Sequence, residues 1–254
     1  MKMYGKQRAE LIYGLKSSDE VDARICDMLF DDGAAFVGFS DVSDVAENHG
    51  YRSCVTVGFK LFDGILKGIQ GAPTYEYFHH YRTVNAALDR MTLRVAAFLN
   101  SQGFDAIAIP ASQSSDADPF KGAFPHKTGA RLSGAGYIGK NALFLSREFG
   151  AKVRLASVLT DKEFDLSGDL CGGGCGDCEV CKKACPAGAI YGKNYAEGDD
   201  VSELVDVAKC SAHMKAAYKH IGRGAVCGIC IAECPKSCLK NRVDSDGTGI
   251  FGHK

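Results

Sequence analysis

Apolar residues recur every three to four positions from Val21 through Ile25 to Met28 and Leu29, the spacing of a helix with one buried face. Ser17 and Ser18, with acidic Asp19 and Glu20 behind them, supply the side chains that cap a helix start, and Gly33 marks its end. The same period returns between Thr74 and Gln102, where Val84, Leu88, Met91, Val95, Phe98 and Leu99 form the stripe of a long helix. Ala34 to Phe39, Ser53 to Phe59, Asp105 to Pro110 and Lys152 to Thr160 are short runs rich in Val, Ile, Phe and Ala between Gly, Asp or Pro, which predicts strands. Lys127 to Leu132 reads as a short helix. Ala111 to Pro125, rich in Ser, Asp, Gly and Pro, reads as a long loop of the kind more often functional than idle. Helix and strand alternate, so residues 1–166 are predicted to form an α/β (α+β) domain with unknown strand order. From Ser167 the composition turns sharply to Gly and Cys, which sets a second domain at 167–254.

Composition adds little until cysteine is counted. The 254 residues are 46% hydrophobic with a formal charge of −1, so nothing global draws the chain to nucleic acid or to an anionic membrane. Met1 to Glu20 lacks the apolar run of a signal peptide or membrane span, which predicts a cytoplasmic protein with no membrane partner. Of the 12 cysteines, only Cys26 and Cys54 precede residue 171, and both sit in apolar surroundings as small core residues. The rest crowd between Cys171 and Cys238. Without a secretory signal, such crowding points to metal rather than to disulfides.

Cys175-x2-Cys178-x2-Cys181-x3-Cys185-Pro186 has the bacterial ferredoxin spacing, in which three thiolates grip one cubane and the fourth ligates another. Cys227-x2-Cys230-x3-Cys234-Pro235 is a second, shorter run, and Cys210 supplies its missing early ligand. Two [4Fe-4S] clusters follow, with Cys175, Cys178, Cys181 and Cys234 on one and Cys185, Cys210, Cys227 and Cys230 on the other. The competing reading is a pair of structural zinc knuckles. Cys171 and Cys238 each stand four residues from a ligand, as alternative ligands or free thiols. Large apolar residues are scarce here, so the segment is expected to fold only around its clusters.

Gly134-x-Gly136-x-x-Gly139-Lys140 imitates both a dinucleotide fingerprint and a phosphate loop. A dinucleotide motif should follow a strand and open a helix, whereas this one follows a helix, and Asn141 stands where a phosphate loop needs Ser or Thr. These glycines instead allow close backbone approach to a chain segment or a cofactor.

With Phe144 to Ser146, Glu148-Phe-Gly150, Val153-Arg154-Leu155, Leu159-Thr160-Asp161 and the cysteine run behind it, this stretch resembles the epoxyqueuosine reductase family. The likeness is strongest over residues 126–238 and looser through Tyr81, Asn85 and Leu88. It implies a cobalamin between the α/β domain and the clusters, lined by Gly134, Gly136, Tyr137, Gly139 and Lys140, with electrons arriving from a ferredoxin, a flavodoxin or a similar donor. The tRNA-modifying members continue into a helical repeat domain, and the chain stops at Lys254, so the expected substrate is a small molecule rather than tRNA. The family's acidic proton donor would fall near Phe120, with Asp116 and Asp118 out of register. His126, at the loop's end, is the substitute candidate, as a proton donor or as a histidine bonded to backbone. The leading expectation is thus an iron–sulfur, cobalamin-dependent reductase. The alternatives are an electron-transfer protein serving a separate enzyme and, third, a redox or iron sensor.

Overall fold

The computed structural model describes residues 19–112, 120–165, 170–224 and 226–236. Helix α1 (Glu20–Asp31) opens at Asp19, whose carboxylate accepts the Val21 N–H at 2.7 Å; Ser17 and Ser18 lie outside the described residues. Strands β1 (Phe36–Asp41) and β2 (Ser53–Lys60) follow, then a single turn, α2 (Asp63–Leu66). The long α3 (Tyr75–Ser101) and β3 (Ala106–Ile109) come next. Helix α4 (His126–Leu132) runs into a hairpin, β4 (Gly136–Ile138) with β5 (Phe144–Ser146), and β6 (Val153–Thr160) closes the sheet.

The main sheet has the order β1-β2-β6-β3 and is antiparallel throughout, with Val57 opposite Val37 and Ala156, and Val158 opposite Ala108. Alternate residues along each strand reach opposite layers, as the pleat requires. Val37, Val55, Val57, Ala156 and Val158 pack with Ile25 and Leu29 of α1 and with Leu88, Val95 and Leu99 of α3. Their strand neighbours point the other way. Phe36 packs with Ala130 of α4 and Phe144 of the hairpin, and Cys54 and Leu159 pack with Phe124. Because both faces are covered, the strands read as continuous apolar runs rather than alternating ones. Lys162, 3% exposed, holds Asp22 at 2.8 Å and Asp19 at 3.0 Å, tying α1 to the end of β6.

Beyond β6 come three short helices, α5 (Val180–Ala184), α6 (Val207–Ala217) and α7 (Ile229–Ala232). Ile221, Val226, Ile229 and Ile231 join the same apolar cluster as Tyr77, Tyr137 and Leu145, so one core runs from the sheet into the cysteine segment. Among the described residues no helix is long and apolar enough to cross a membrane.

Candidate metal centre and active site

Three of the eight expected ligands sit on helices, Cys181 on α5, Cys210 on α6 and Cys230 on α7, and all eight are free thiols. Their mutual influence divides them into two sets. Burial pushes Cys181 up to about 11, and Cys175, Cys234 and Cys178 add to the push. Cys234 is raised by burial and then by Cys175 and Cys178, against N–H groups that favour its thiolate. In the other set, burial raises Cys210 together with Cys227 and Cys185, and raises Cys227 together with Cys185. Cys230 is raised by burial and then by Cys227, Cys210, Cys181 and Cys185. Thiols that hinder one another's ionisation become ligands once a metal centre carries positive charge between them. Among the described residues no three His, Cys, Asp or Glu side chains close on a single ion. Cys171 is disulfide-bonded, which removes both expectations for it, and Cys238 lies outside the described residues.

Backbone donors reach these sulfurs from two directions. Within the cysteine segment Ala189 N–H meets Cys185 Sγ at 3.5 Å, and the Ile229 amide serves Cys227. From the sheet domain Lys140 N–H meets Cys175 Sγ at 3.5 Å, and the Ala151 amide serves Cys234. Such donors favour thiolate over thiol and tune a bound cluster. Asn141 Nδ2 adds a 3.3 Å bond to the Cys230 carbonyl.

This is the work the glycine motif is seen to do. A Cβ on Gly136 would lie 2.0 Å from the Leu145 carbonyl oxygen, and one on Gly139 would lie 2.6 Å from Leu145 Cδ1 and 3.5 Å from Cys175 Sγ. The close approach is to the chain's own hairpin. Gly134, Gly136, Gly139 and Lys140 are buried by protein, and Tyr137 lines a cavity beside Cys175. Gly139 and Lys140 lie against Cys175, so the motif also approaches the cysteine segment. The motif forms a strand of a hairpin and opens no helix, so neither nucleotide reading applies.

His126, the other candidate, is held by bonds on both ring nitrogens. It is the first residue of α4, with Nε2–H donating to the Pro110 carbonyl at 2.9 Å and Nδ1 accepting from Ser157 Oγ at 2.9 Å. Burial holds it down to about 4. A neutral imidazole with both nitrogens engaged has no proton to give near neutrality. Elsewhere, His79 and His80 lie on α3 and His213 on α6, whereas His220 lies beyond that helix, which ends at Ala217.

The titratable pair that the sequence did not single out is Tyr81 with Arg154. The Arg154 guanidinium lies 4.3 Å from the centre of the Tyr81 ring, with Nη2 3.3 Å from the phenol oxygen and Nε donating to Asn85 Oδ1 at 3.0 Å. Ser112 Oγ is 3.1 Å from the same phenol oxygen. Burial alone would push Tyr81 up, but Arg154 and the bonds from Ser112, Asn85 and Arg154 together hold it below the ordinary tyrosine value. Tyr77, one turn earlier, has its ring centre 6.5 Å from that of Tyr81 and packs so closely on Gly228 that a Cβ there would meet it at 2.5 Å. Gly228 lies between Cys227 and Cys230 in the chain.

Residues 174–237 match the 4Fe-4S double cluster binding domain. An epoxyqueuosine reductase of Listeria monocytogenes is 37% identical over 67 residues, which is 25% of this chain and 17% of that protein. The curated epoxyqueuosine reductases that match are spanned over only 17% to 33% of their own length. In fold, a reductive dehalogenase whose structure suggested a mechanism for B12-dependent dehalogenation superposes with a TM-score of 0.70 at 18% identity, covering 92% of this chain and 33% of that one. The epoxyqueuosine reductase of Streptococcus thermophilus gives 0.54 at 16% identity, covering 85% and 66%. The structural likeness shows the fold, and in sequence the chain matches the double [4Fe-4S] domain over residues 174–237 and is similar to part of the epoxyqueuosine reductases.

Proposed function

We propose that this protein is a two-cluster iron–sulfur reductase whose reaction end is the Tyr81–Arg154 pair, acting on a small molecule. One observation carries the reading: the Tyr81 phenol, with Arg154 over its ring, and the Cys227–Cys230 loop are joined through a single intervening side chain, Tyr77. Proton donor and electron source thus lie on either side of Tyr77. When bound, the clusters supply electrons one at a time at low potential.

In this reading the eight cysteines hold the clusters in two crossed fours, as the spacing predicts. Lys140 and Ala151 steady the Cys175 set through their amides, while Asn141 holds the backbone at Cys230. Tyr81 keeps a proton on its phenol oxygen until the substrate has gained charge, then releases it. Arg154 stabilises the phenolate left behind, and Asn85 keeps Arg154 in place over the ring. For a two-electron reduction the substrate gains two electrons and two protons, one proton from Tyr81 and one from solvent, and solvent reprotonates Tyr81. A structural neighbour with B12-dependent chemistry supports a corrinoid as a further cofactor, with Gly134, Gly136, Tyr137, Gly139 and Lys140 as its proposed lining, and no step here runs through it. A ferredoxin or flavodoxin suits the clusters as donor.

Turnover by cluster-loaded protein with an artificial low-potential reductant tests the proposal. Reduction of an added acceptor that Tyr81→Phe slows supports it. Clusters that reduce and reoxidise with identical rates in both proteins make this an electron relay instead.

A further inference from the structure

A cavity of about 560 Å³ opens beside Cys175, within the size range of small-molecule sites. Tyr137, Ile138 and Tyr195 give it flat and apolar walls, and Arg131 gives it a charge. The Arg131 side chain is only 15% exposed, and its buried Nε has no hydrogen-bond partner. Its guanidinium lies 5.8 Å from the centre of the Tyr195 ring, and Nη2 meets Glu197 Oε1 at 3.1 Å. The Glu197 side chain is 76% exposed.

These facts do not balance within the chain. An enclosed N–H without an acceptor is costly, whereas an ion pair to a solvated glutamate contributes little. Nε and Nη2 together form the edge of the guanidinium that takes a carboxylate with two parallel bonds. Here one half of that edge is covered and has no acceptor, and the other is held by an exposed side chain. Gly174 and Gly176 border the same cavity, and a Cβ on either would meet nothing within 4 Å, so the loop leaves the space open.

We propose that this cavity binds a small planar organic carboxylate, seated on the Nε–Nη2 edge of Arg131 in place of Glu197, with its flat body against Tyr137 and Tyr195. The site is separate from the Tyr81–Arg154 pair, and binding to it requires no turnover. Inorganic phosphate could use the same edge but would leave the apolar walls unmatched.

Calorimetric titration of the cluster-loaded protein with benzoate and with inorganic phosphate tests this. Benzoate should bind one to one, with phosphate about tenfold weaker or more. Arg131→Gln should weaken benzoate about tenfold or more, the loss of a charge-assisted bond. Glu197→Gln should tighten it, because the competing carboxylate is gone. Absence of benzoate binding, undiminished binding by Arg131→Gln, or weaker binding by Glu197→Gln overturns the proposal, and phosphate as tight as benzoate overturns its organic part. If Arg131→Gln fails to hold iron, Glu197→Gln decides alone. Iron and sulfide counts on the same samples report separately on the cluster reading.

Discussion

The sheet domain and the cysteine segment are ordered by different means. In the first, Ile25, Leu29, Leu88, Leu99 and Leu159 are wholly enclosed, and β1 and β2 are covered on both faces. In the second, the eleven-residue α6 buries no side chain, and α5 buries only Cys181. Fixing backbone costs about 1–2 kcal/mol per residue, and hydrocarbon offsets that cost in the sheet domain. In the cysteine segment Leu204, Ile221, Val226 and Ile229 are buried as well, and the ligand cysteines join them in holding the fold, so electrons and fold share residues there. Stability and chemistry are separable in one region and fused in the other.

That contrast is broken most severely by removing iron and sulfide. Limited proteolysis of the stripped protein should cut within residues 170–236 while 19–165 survives as a core; equal resistance with and without clusters contradicts the contrast. Next in size is Gly136→Ala, which forces a Cβ against the Leu145 carbonyl. It should cost about 3 kcal/mol, read as a lowered midpoint in denaturant, and should lower iron content because the hairpin carries the Lys140 amide.

Acid should expose the buried imidazole. Folded His126 titrates near 4, well below the unfolded value of about 6.5, so the unfolded chain binds the extra proton between those limits. Stability is complete above about pH 7 and falls by about 3 kcal/mol as pH drops towards 4. His126→Gln should flatten that part of the acid unfolding curve, and an unchanged slope would show that His126 is not the group responsible. Tyr81→Phe sharpens the comparison from the catalytic side. Reductase rate should fall about a hundredfold, with stability changed by about 1 kcal/mol or less. Wild-type activity should decline as pH rises through a phenol value below that of ordinary tyrosine, and the variant should lose that decline.

The cysteine spacing was legible because cluster ligation is local: x2 and x3 gaps state geometry directly. The long helix was legible because Val84, Leu88, Val95 and Leu99 repeat at its period. The hairpin at Gly136–Ser146 was not, since its strands are three residues each, too short to show a period. Its glycines announced a close approach without naming the partner, and Leu145 proved to be that partner. The Tyr81–Arg154 pair spans 73 residues of sequence. An arginine inside the apolar run of β6 was the available signal, and only the pairing of β6 with the layer carrying α3 gives it meaning. Asp63–Leu66 escaped because one helical turn leaves no pattern.

Iron and labile-sulfide analysis of anaerobically purified protein, read with its electron paramagnetic resonance spectrum after reduction, bears most directly on the crossed ligation. The account predicts about eight iron atoms and as many sulfides per chain, with the spectrum of two interacting [4Fe-4S]⁺ centres. It also predicts loss of about half the iron in Cys230→Ser, with the other centre retained. Tightly held zinc without labile sulfide, or a single cluster unaffected by that substitution, would contradict it.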